Sequence, residues 1–569
     1  MKAIRFLQSF LILFLLNVTL QAQPLKNKPD ALHYTIQKKS ESTKGAVVAA
    51  HPLASKVGIE MLKKGGNAFD AFIATQWMLG VVYPWAGTVG GGGFMIARLA
   101  NGKIITLDFR ETAPAAATKD MYIKDGKGDT KLSQNGHIAC GVPSLVAGLF
   151  AAHKYAKLPM SVLIQPAIDV AENGFSITAM ESKRLNKKKP DFISNNIVTP
   201  LFVKEAGWNE GDILIQKDLA ATLKRIQKQG AKGFYEGKTA QLIADEMKKA
   251  GGIITKEDLK NYKIKFRSPM VFKYKDYTVA TMGLPSSGGI LLNQMMRMVE
   301  KRNIGAMGFH TAASIHLMVE AERRAYADRA EYMGDPDFIK VPVKALTTEK
   351  YIEDRMKDFN PLAATKSSDI KTGLVKKESE ETTHLSIIDK DGNCISVTTT
   401  LNTGYGSGVV IDGTGIIMSN SMDDFSIQPG VPNVYGAVGG EANSIAPGKR
   451  MLSSMSPTIV LKNNKPFLVL GTPGGTTIPT SVYQVMMNIM EFGLSTEDAV
   501  NSLRFHHQWL PDMIFVEEGF PQNMQKELEA LGHTVKQREG LGRMEVIKIM
   551  NKKIEGVGDN RGDDDAEGY

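Results

Sequence analysis

The chain has 569 residues, 43% of them hydrophobic and 23% charged; that balance excludes a disordered or fibrous protein, and the length allows about four domains or fewer, larger ones. Lys and Arg total 69 against 60 Asp and Glu, a net charge of +9. Both signs are interspersed and no dense basic block carries interleaved aromatics, so nucleic acid is not an expected partner.

Residues 1–22 read as an export signal. Lys2 and Arg5 give the positive start, Phe6 to Val18 is mostly apolar, and Ala22 precedes the polar Gln23-Pro24-Leu25-Lys26. The apolar run is short for a membrane span, and no later run approaches spanning length. The expectation is a periplasmic or secreted protein with no span in its mature form; an uncleaved anchor is the alternative.

Leu53, Val57 and Met61 fall at four-residue intervals, and Gly65-Gly66 ends that helix. Asn67 is placed to cap the next one, which carries Phe69, Phe72, Ile73 and Trp77. The glycine run of Val89–Met95 lacks the Lys-Ser/Thr of a phosphate loop and reads better as close backbone packing. A strand pair follows around Phe94–Ala97 and Ile104–Phe109. Residues 140–180, 215–262 and 310–332 read as mainly helical, and Val271–Thr281 alternates as a strand does.

The segment Thr365–Glu381 has only Ile370, Leu374 and Val375 as apolar residues and ends in a cluster of acids. It reads as a mobile linker. Directly after it, Leu385–Ile388 is a strand, Asp391-Gly392-Asn393 a turn, and Cys394–Thr400 a returning strand. A linker joined to the first residue of a core hairpin has two readings. One is a plain inter-domain tether. The other is that Thr382 becomes a chain terminus, whose α-amine, with a free pKa of about 7.7–8.0, serves as the base that its own hydroxyl needs. Thr400 on the returning strand is placed to hydrogen-bond that hydroxyl, and Gly474-Gly475 to offer backbone N–H groups to an oxyanion.

The stretch 382–402 resembles the start of the small subunit of γ-glutamyltranspeptidases, also called glutathione hydrolases. So do MDDFSIQPGVPNVYG (422–436), MLSSMSPTIV (451–460), GTPGG (471–475) and RFHHQWLPD (504–512); VGGGGFM (89–95), DFRETAP (108–114) and RRAYADRAEYMGDPDF (323–338) resemble the large subunit. The resemblance runs in order from about residue 45 to the C-terminus. It implies an α+β fold, the four-layer αββα sandwich of N-terminal-nucleophile hydrolases, formed jointly by a large chain (23–381) and a small catalytic chain (382–569) after self-cleavage between Glu381 and Thr382. It implies no cofactor and no metal. Thr382 would form a γ-glutamyl ester from glutathione or a related γ-glutamyl compound, and water or an amino acid or peptide acceptor would take the acyl group.

By the same resemblance, Arg110 would pair with the α-carboxylate, helped by Ser453 and Ser454, and Asp424 with the α-ammonium, helped by Asn402. Gly474 and Gly475 would form the oxyanion hole, and Tyr435 would gate the site from the loop Pro429–Gly436. Ser421 stands where the family usually has Gln or Glu as a further contact to the ammonium, so that contact is expected to be lost or water-mediated. Alternatives that remain open are a self-cleaving amidase acting on β-lactam side chains or poly-γ-glutamate, and a non-catalytic exported binding protein. Without the family, Arg110 reads as an end-of-strand charge paired with Glu111, His384, His506 and His507 as structural histidines, and Arg561–Asp565 as a solvated or salt-bridged tail. Cys140 and Cys394 read as buried small residues, with one bridge between them open.

Overall fold

The computed structural model describes residues 30–370, 382–428, 430–431 and 439–569. The expected signal at 1–22, Glu381, residues 371–380 of the linker, and Pro429 and Tyr435 of the lid lie outside the described residues.

Two sheets of seven strands each dominate the fold. Before residue 370 come β1 (Lys39–Ser42), β2 (Ala46–Ala49), β3 (Gly92–Arg98), β4 (Ile104–Phe109), β5 (Lys265–Arg267), β6 (Met270–Tyr274) and β7 (Tyr277–Thr281). From residue 383 come β8 (Thr383–Ile388), β9 (Cys394–Thr400), β10 (Thr458–Lys462), β11 (Lys465–Gly471), β12 (Glu545–Met550), β13 (Lys553–Gly558) and β14 (Asp565–Gly568). The first sheet has the order β1-β13-β12-β11-β10-β7-β6 and the second β14-β2-β8-β9-β3-β4-β5, every pair antiparallel. Strands from the two halves of the chain interleave in both.

Side-chain alternation builds four layers. On β2, Ala46 and Val48 join a buried cluster with Ile96, Ile459, Val469 and Ile547 between the sheets. Val47 and Ala49 face the other way, into a cluster with helices α1 (Pro52–Lys63) and α2 (Ala68–Val82). On the far side, α3 (Gly288–Glu300), α4 (Ala312–Tyr332) and α5 (Thr477–Met490) cover the first sheet through Val279, Val460, Leu468 and Leu470. The expected sandwich, shared by both halves, is the observed one.

Local signals explain the elements beside the site. Asn67 caps α2 by accepting from the N–H groups of Phe69 and Asp70, and the Asp70 carboxylate accepts from the Asn67 N–H at 2.7 Å. The glycine run is packing: a Cβ on Gly91 would lie 2.0 Å from the Thr400 carbonyl oxygen. Cys140 and Cys394 are both buried and both free thiols.

Three expectations are corrected. Residues 271–281 form a hairpin, β6 and β7, that turns at Lys275-Asp276 with Lys275 at φ 49°; alternation persists across the turn and hides it. The linker is not mobile over 365–370, because Ser367 is fully buried and fully bonded. Its N–H donates to Asp512 at 2.7 Å, its hydroxyl to the Trp509 carbonyl at 2.5 Å, and its own carbonyl accepts from the Trp509 indole at 3.0 Å. The C-terminal acids are not solvated: Asp564 and Asp565 are 0% exposed, and β14 pairs with β2. The salt-bridged alternative holds: Arg561 pairs with Glu517 and Asp559, and Asp564 with Arg543.

The two sheets meet closely where His384 of β8 covers Gly471 of β11: a Cβ on Gly471 would lie 2.2 Å from the imidazole. Burial pushes His384 down to about 3, so the ring is neutral, and it is held by the hydroxyls of Thr398 at 2.9 Å and Ser386 at 3.2 Å. Gly471→Ala is expected to cost about 1–3 kcal/mol by overpacking, measured as a lower denaturation midpoint, and His384→Ala in the same chain to recover part of that loss. An unchanged midpoint in Gly471→Ala would contradict this contact.

Candidate active site

The ends of β3, β4, β8 and β9 that lie together in the second sheet open toward the loops flanking β10 and β11 of the first. Antiparallel register pairs Thr383 with Thr399, which sets Thr382 opposite Thr400. Thr382 is 4% exposed. Its Oγ1 accepts a hydrogen bond from the Gly474 N–H at 3.0 Å. Gly474 and Gly475 have φ of 135° and 50°, conformations that turn the backbone toward the threonine and suit glycine alone or nearly so. Thr400 Oγ1 accepts from the Asn402 N–H at 2.8 Å, and Asn402 Nδ2 donates to the Asn420 carbonyl at 3.0 Å.

Thr382, Thr400, Asn402 and Gly475 line a small cavity together with Arg110, Asp424, Ser453, Ser454 and Arg329. Arg110 is the first residue after β4 and is fully buried. Its guanidinium bonds the Glu111 carboxylate at 3.0 Å and also pairs with Asp424. Asp424 closes a single 3₁₀ turn, Ser421–Asp424, pinned from below by the Ser133 hydroxyl on Asp423. Burial pushes the Asp424 carboxyl up to about 6, against the downward pull of Arg110 and Arg329. The cavity thus gathers a fixed cation, a fixed carboxylate, paired serine hydroxyls and a threonine hydroxyl that accepts from a backbone N–H.

The residues singled out in the sequence converge here, with two qualifications. Ser421 is off the cavity wall: its hydroxyl donates to Glu111 at 2.6 Å, so it braces the acid that holds Arg110. Glu381 and Tyr435 lie outside the described residues. Arg329, on α4, was not foreseen. That helix is buried on every side through most of its length, so its sequence shows no polar face from which a functional arginine could stand out.

His506 and His507 are structural, as expected: His506 bonds Thr480 at 2.9 Å and Gln508 at 2.8 Å, and burial pushes both rings well down. Among the described residues, one group, His316, Glu320 and His533, offers metal-type ligand atoms within 4.8 Å of one another. Those atoms already serve each other and their neighbours. His316 bonds His533 at 2.8 Å and the Asn360 carbonyl at 2.9 Å, while Glu320 pairs with Arg323 and Arg324.

Residues 54–569 match the family model described as Gamma-glutamyltranspeptidase. The chain belongs to the γ-glutamyltranspeptidase family. It is 45% identical over 532 residues to a glutathione hydrolase proenzyme of Escherichia coli strain K12, covering 92% of each chain. Among solved structures, it resembles the γ-glutamyltranspeptidase of Helicobacter pylori at 43% identity and TM-score 0.56, covering 61% of this chain and 97% of that one. It also resembles a cephalosporin acylase from Bacillus halodurans at 26% identity and TM-score 0.81, covering 96% and 99%. The protein is therefore a self-processing acyltransferase and hydrolase of the N-terminal-nucleophile fold, as its sequence implied. Among the described residues, no helix is long and apolar enough to cross a membrane.

Asp424 can hold an ammonium group only as the carboxylate. Since its pKa lies near 6, affinity for an α-amino acid such as L-glutamate is expected to be full above that pH and to fall about tenfold per unit below it. Calorimetric titration between pH 5 and 8 reads this directly; Asp424→Asn should bind weakly with no such slope. Undiminished affinity of the unaltered protein at pH 5 would contradict the assignment of Asp424.

Proposed function

We propose that the chain is cut between Glu381 and Thr382 and that the product hydrolyses glutathione and related γ-glutamyl amides, or transfers their glutamyl group to an amino acid or peptide. The observation that carries this reading is the placement of the Thr382 hydroxyl 3.0 Å from the Gly474 N–H, in the same small cavity as Arg110 and Asp424.

In the precursor, Thr382 Oγ attacks the carbonyl carbon of Glu381. The C–N bond breaks, the nitrogen takes a proton, and an ester at Oγ remains; water then hydrolyses the ester. Scission frees the α-amine of Thr382, which becomes the base for every later turnover. Oγ next attacks the γ-carbonyl carbon of the substrate while the Gly474 and Gly475 N–H groups hold the oxyanion. Loss of one such donor typically costs about 10²–10³ in rate. The amine leaves with a proton, and the γ-glutamyl ester on Thr382 passes to water or to a second amine. Thr400 steadies Oγ from the facing strand.

Recognition follows from charge. The planar fork of Arg110 suits a carboxylate, Ser453 and Ser454 add donors, and Asp424 with Asn402 takes the ammonium. This zwitterion-binding end suits γ-glutamyl substrates, and a β-lactam side chain that carries only one of the two charges would forgo one of these contacts. The same groups argue for catalysis over simple binding, since they sit beside a nucleophile rather than alone. We assign residues 23–381 to the large chain and 382–569 to the small one, and place the protein in the periplasm or outside the cell on the strength of the leader-like 1–22.

Purified protein is expected to run as two chains, the smaller beginning Thr-Thr-His by intact mass. Thr382→Ala should remain one chain and release no p-nitroaniline from γ-glutamyl-p-nitroanilide, whereas Thr382→Ser should retain part of both activities. Normal turnover by uncut Thr382→Ala protein would overturn the proposal.

A further inference from the structure

Asp424 and the Ser453-Ser454 pair face one cavity from two different loops. Asp424 ends the 3₁₀ turn Ser421–Asp424, and the serines belong to the segment that leads into β10. One side chain joins the two loops. Asn443 Nδ2 donates to the Asp424 carbonyl at 2.7 Å, and Asn443 Oδ1 accepts from the Leu452 N–H at 3.0 Å. We propose that Asn443 is the positioning residue that holds Asp424 against the serine loop, and that it thereby sets how strongly the site selects an acyl donor bearing an α-ammonium group. The inference rests on the γ-glutamyl reading above and deepens it.

Each end of this bridge meets a need. The Asp424 carbonyl lies where its turn stops, so the turn itself supplies no further N–H to it. The Leu452 N–H adjoins Ser453, whose own N–H is taken by the Pro285 carbonyl at 2.9 Å. The two bonds also fix the direction of the amide. Its oxygen alone can accept from Leu452, and its nitrogen alone can donate to Asp424.

The bridge is itself braced. Asn443 is buried and closes the 3₁₀ turn Glu441–Asn443. Its N–H donates to the Gly440 carbonyl at 3.2 Å, and its carbonyl accepts from the Ser426 N–H at 2.9 Å, a second link to the chain just after Asp424. Lys449, also buried, donates to the carbonyls on either flank, Ala442 at 3.0 Å and Ser444 at 2.8 Å. Asn443 does not line the cavity, so it acts through Asp424 and Leu452 and not on the substrate.

The anchor matters because the carboxylate has a competing partner. Arg110 pairs with Asp424 directly. With its main chain released, Asp424 is free to turn fully onto that guanidinium and away from an incoming ammonium group. The carboxylate end of the substrate keeps Arg110 and the serines, so the loss falls on recognition of the ammonium.

The test compares γ-glutamyl-p-nitroanilide with glutaryl-p-nitroanilide, which has the same carboxylate and the same scissile anilide and lacks only the ammonium. The quantity read is the ratio of kcat/KM for the two compounds, which does not depend on the fraction of protein that is folded. The unaltered protein should favour the γ-glutamyl compound by about tenfold or more, the value of one charge-assisted hydrogen bond. Asn443→Ala should erase most of that preference, chiefly by raising KM for the γ-glutamyl compound. Lys449→Met, which frees the backbone on both sides of Asn443, should lower the ratio less. A role in stability alone would slow both reactions alike, so an unchanged ratio in Asn443→Ala overturns the assignment. Should the variants fail to fold, hydrogen exchange in the unaltered protein decides. The Leu452 N–H should exchange slowly, and more slowly still with L-glutamate bound; exchange as fast as that of an unbonded loop amide overturns the bridge. Equal use of the two anilides by the unaltered protein would remove Asp424 from ammonium recognition, and Asn443 with it. Absence of p-nitroaniline release from either compound would instead bring down the γ-glutamyl reading.

Discussion

The proposed nucleophile and the amides assigned to its oxyanion are carried by different sheets. Thr382 precedes β8 in one, and Gly474 follows β11 in the other, yet Oγ and N are 3.0 Å apart. Everything the site does depends on the separation of the two sheets at this end. Farther in, apolar residues such as Val48, Ile96 and Ile459 set the gap. Near the site it is set by polar contacts: His384 over Gly471, Ser386 to the Glu545 carbonyl and Ser396 to the Leu470 carbonyl, each at 3.0 Å for the two serines. Directional bonds hold a distance more sharply than apolar packing, which tolerates volume-conserving exchange. Strand order would protect the same geometry through the proposed cut. β8 lies between β2 from upstream and β9 from downstream, so scission before Thr382 would break one peptide bond and leave the sheet hydrogen bonds on both sides of it in place.

The recognition end is a compact cluster of buried charge. Arg110 meets Glu111 and Asp424, and Ser421 supports Glu111 from behind. Removing one member of such a cluster leaves another charge buried without compensation, typically at about 3–5 kcal/mol, so the cluster holds its form as a unit. This gives a physical account of the serine at 421. Its hydroxyl is too short to act as a substrate ligand from that turn, and it works instead on Glu111. On the proposed reading, recognition of the substrate ammonium falls chiefly to Asp424, whose carboxyl burial pushes up to about 6.

Much of this was legible in sequence where the deciding interactions are local. The capping box at Asn67, the turn at Asp391-Gly392-Asn393 and the helical spacing of Leu53, Val57 and Met61 all act within a few residues, and each element formed where it was expected. What failed was decided at a distance. Asp564 and Asp565 look like a soluble tail until Arg543 and the edge of β2 are brought to them. Ser367 looks like linker until Trp509 and Asp512 close on it. Arg329 has no periodic signature at all, because its place is set by which strand ends and helix turns share one cavity. Thr382 itself was an ambiguous residue at the head of a strand, and the family motifs gave it a role that spacing alone left open.

If the chain is cut before Thr382 as proposed, the order of chemical events follows from one covalent fact. Before scission, the nitrogen of Thr382 is a peptide nitrogen and has no basic lone pair, so the base that would serve turnover is absent from the step that creates it. Self-cleavage has only the hydroxyl, the facing Thr400 and the Gly474 N–H already in place at 3.0 Å. That is enough for a reaction that each molecule performs once. Turnover is different, since it must remove a proton from the same hydroxyl every cycle, and the freed amine supplies a base whose free pKa of about 7.7–8.0 suits neutral conditions. On that reading the cut would do more than expose a site: it would convert a hydroxyl held in position into one that can be activated repeatedly.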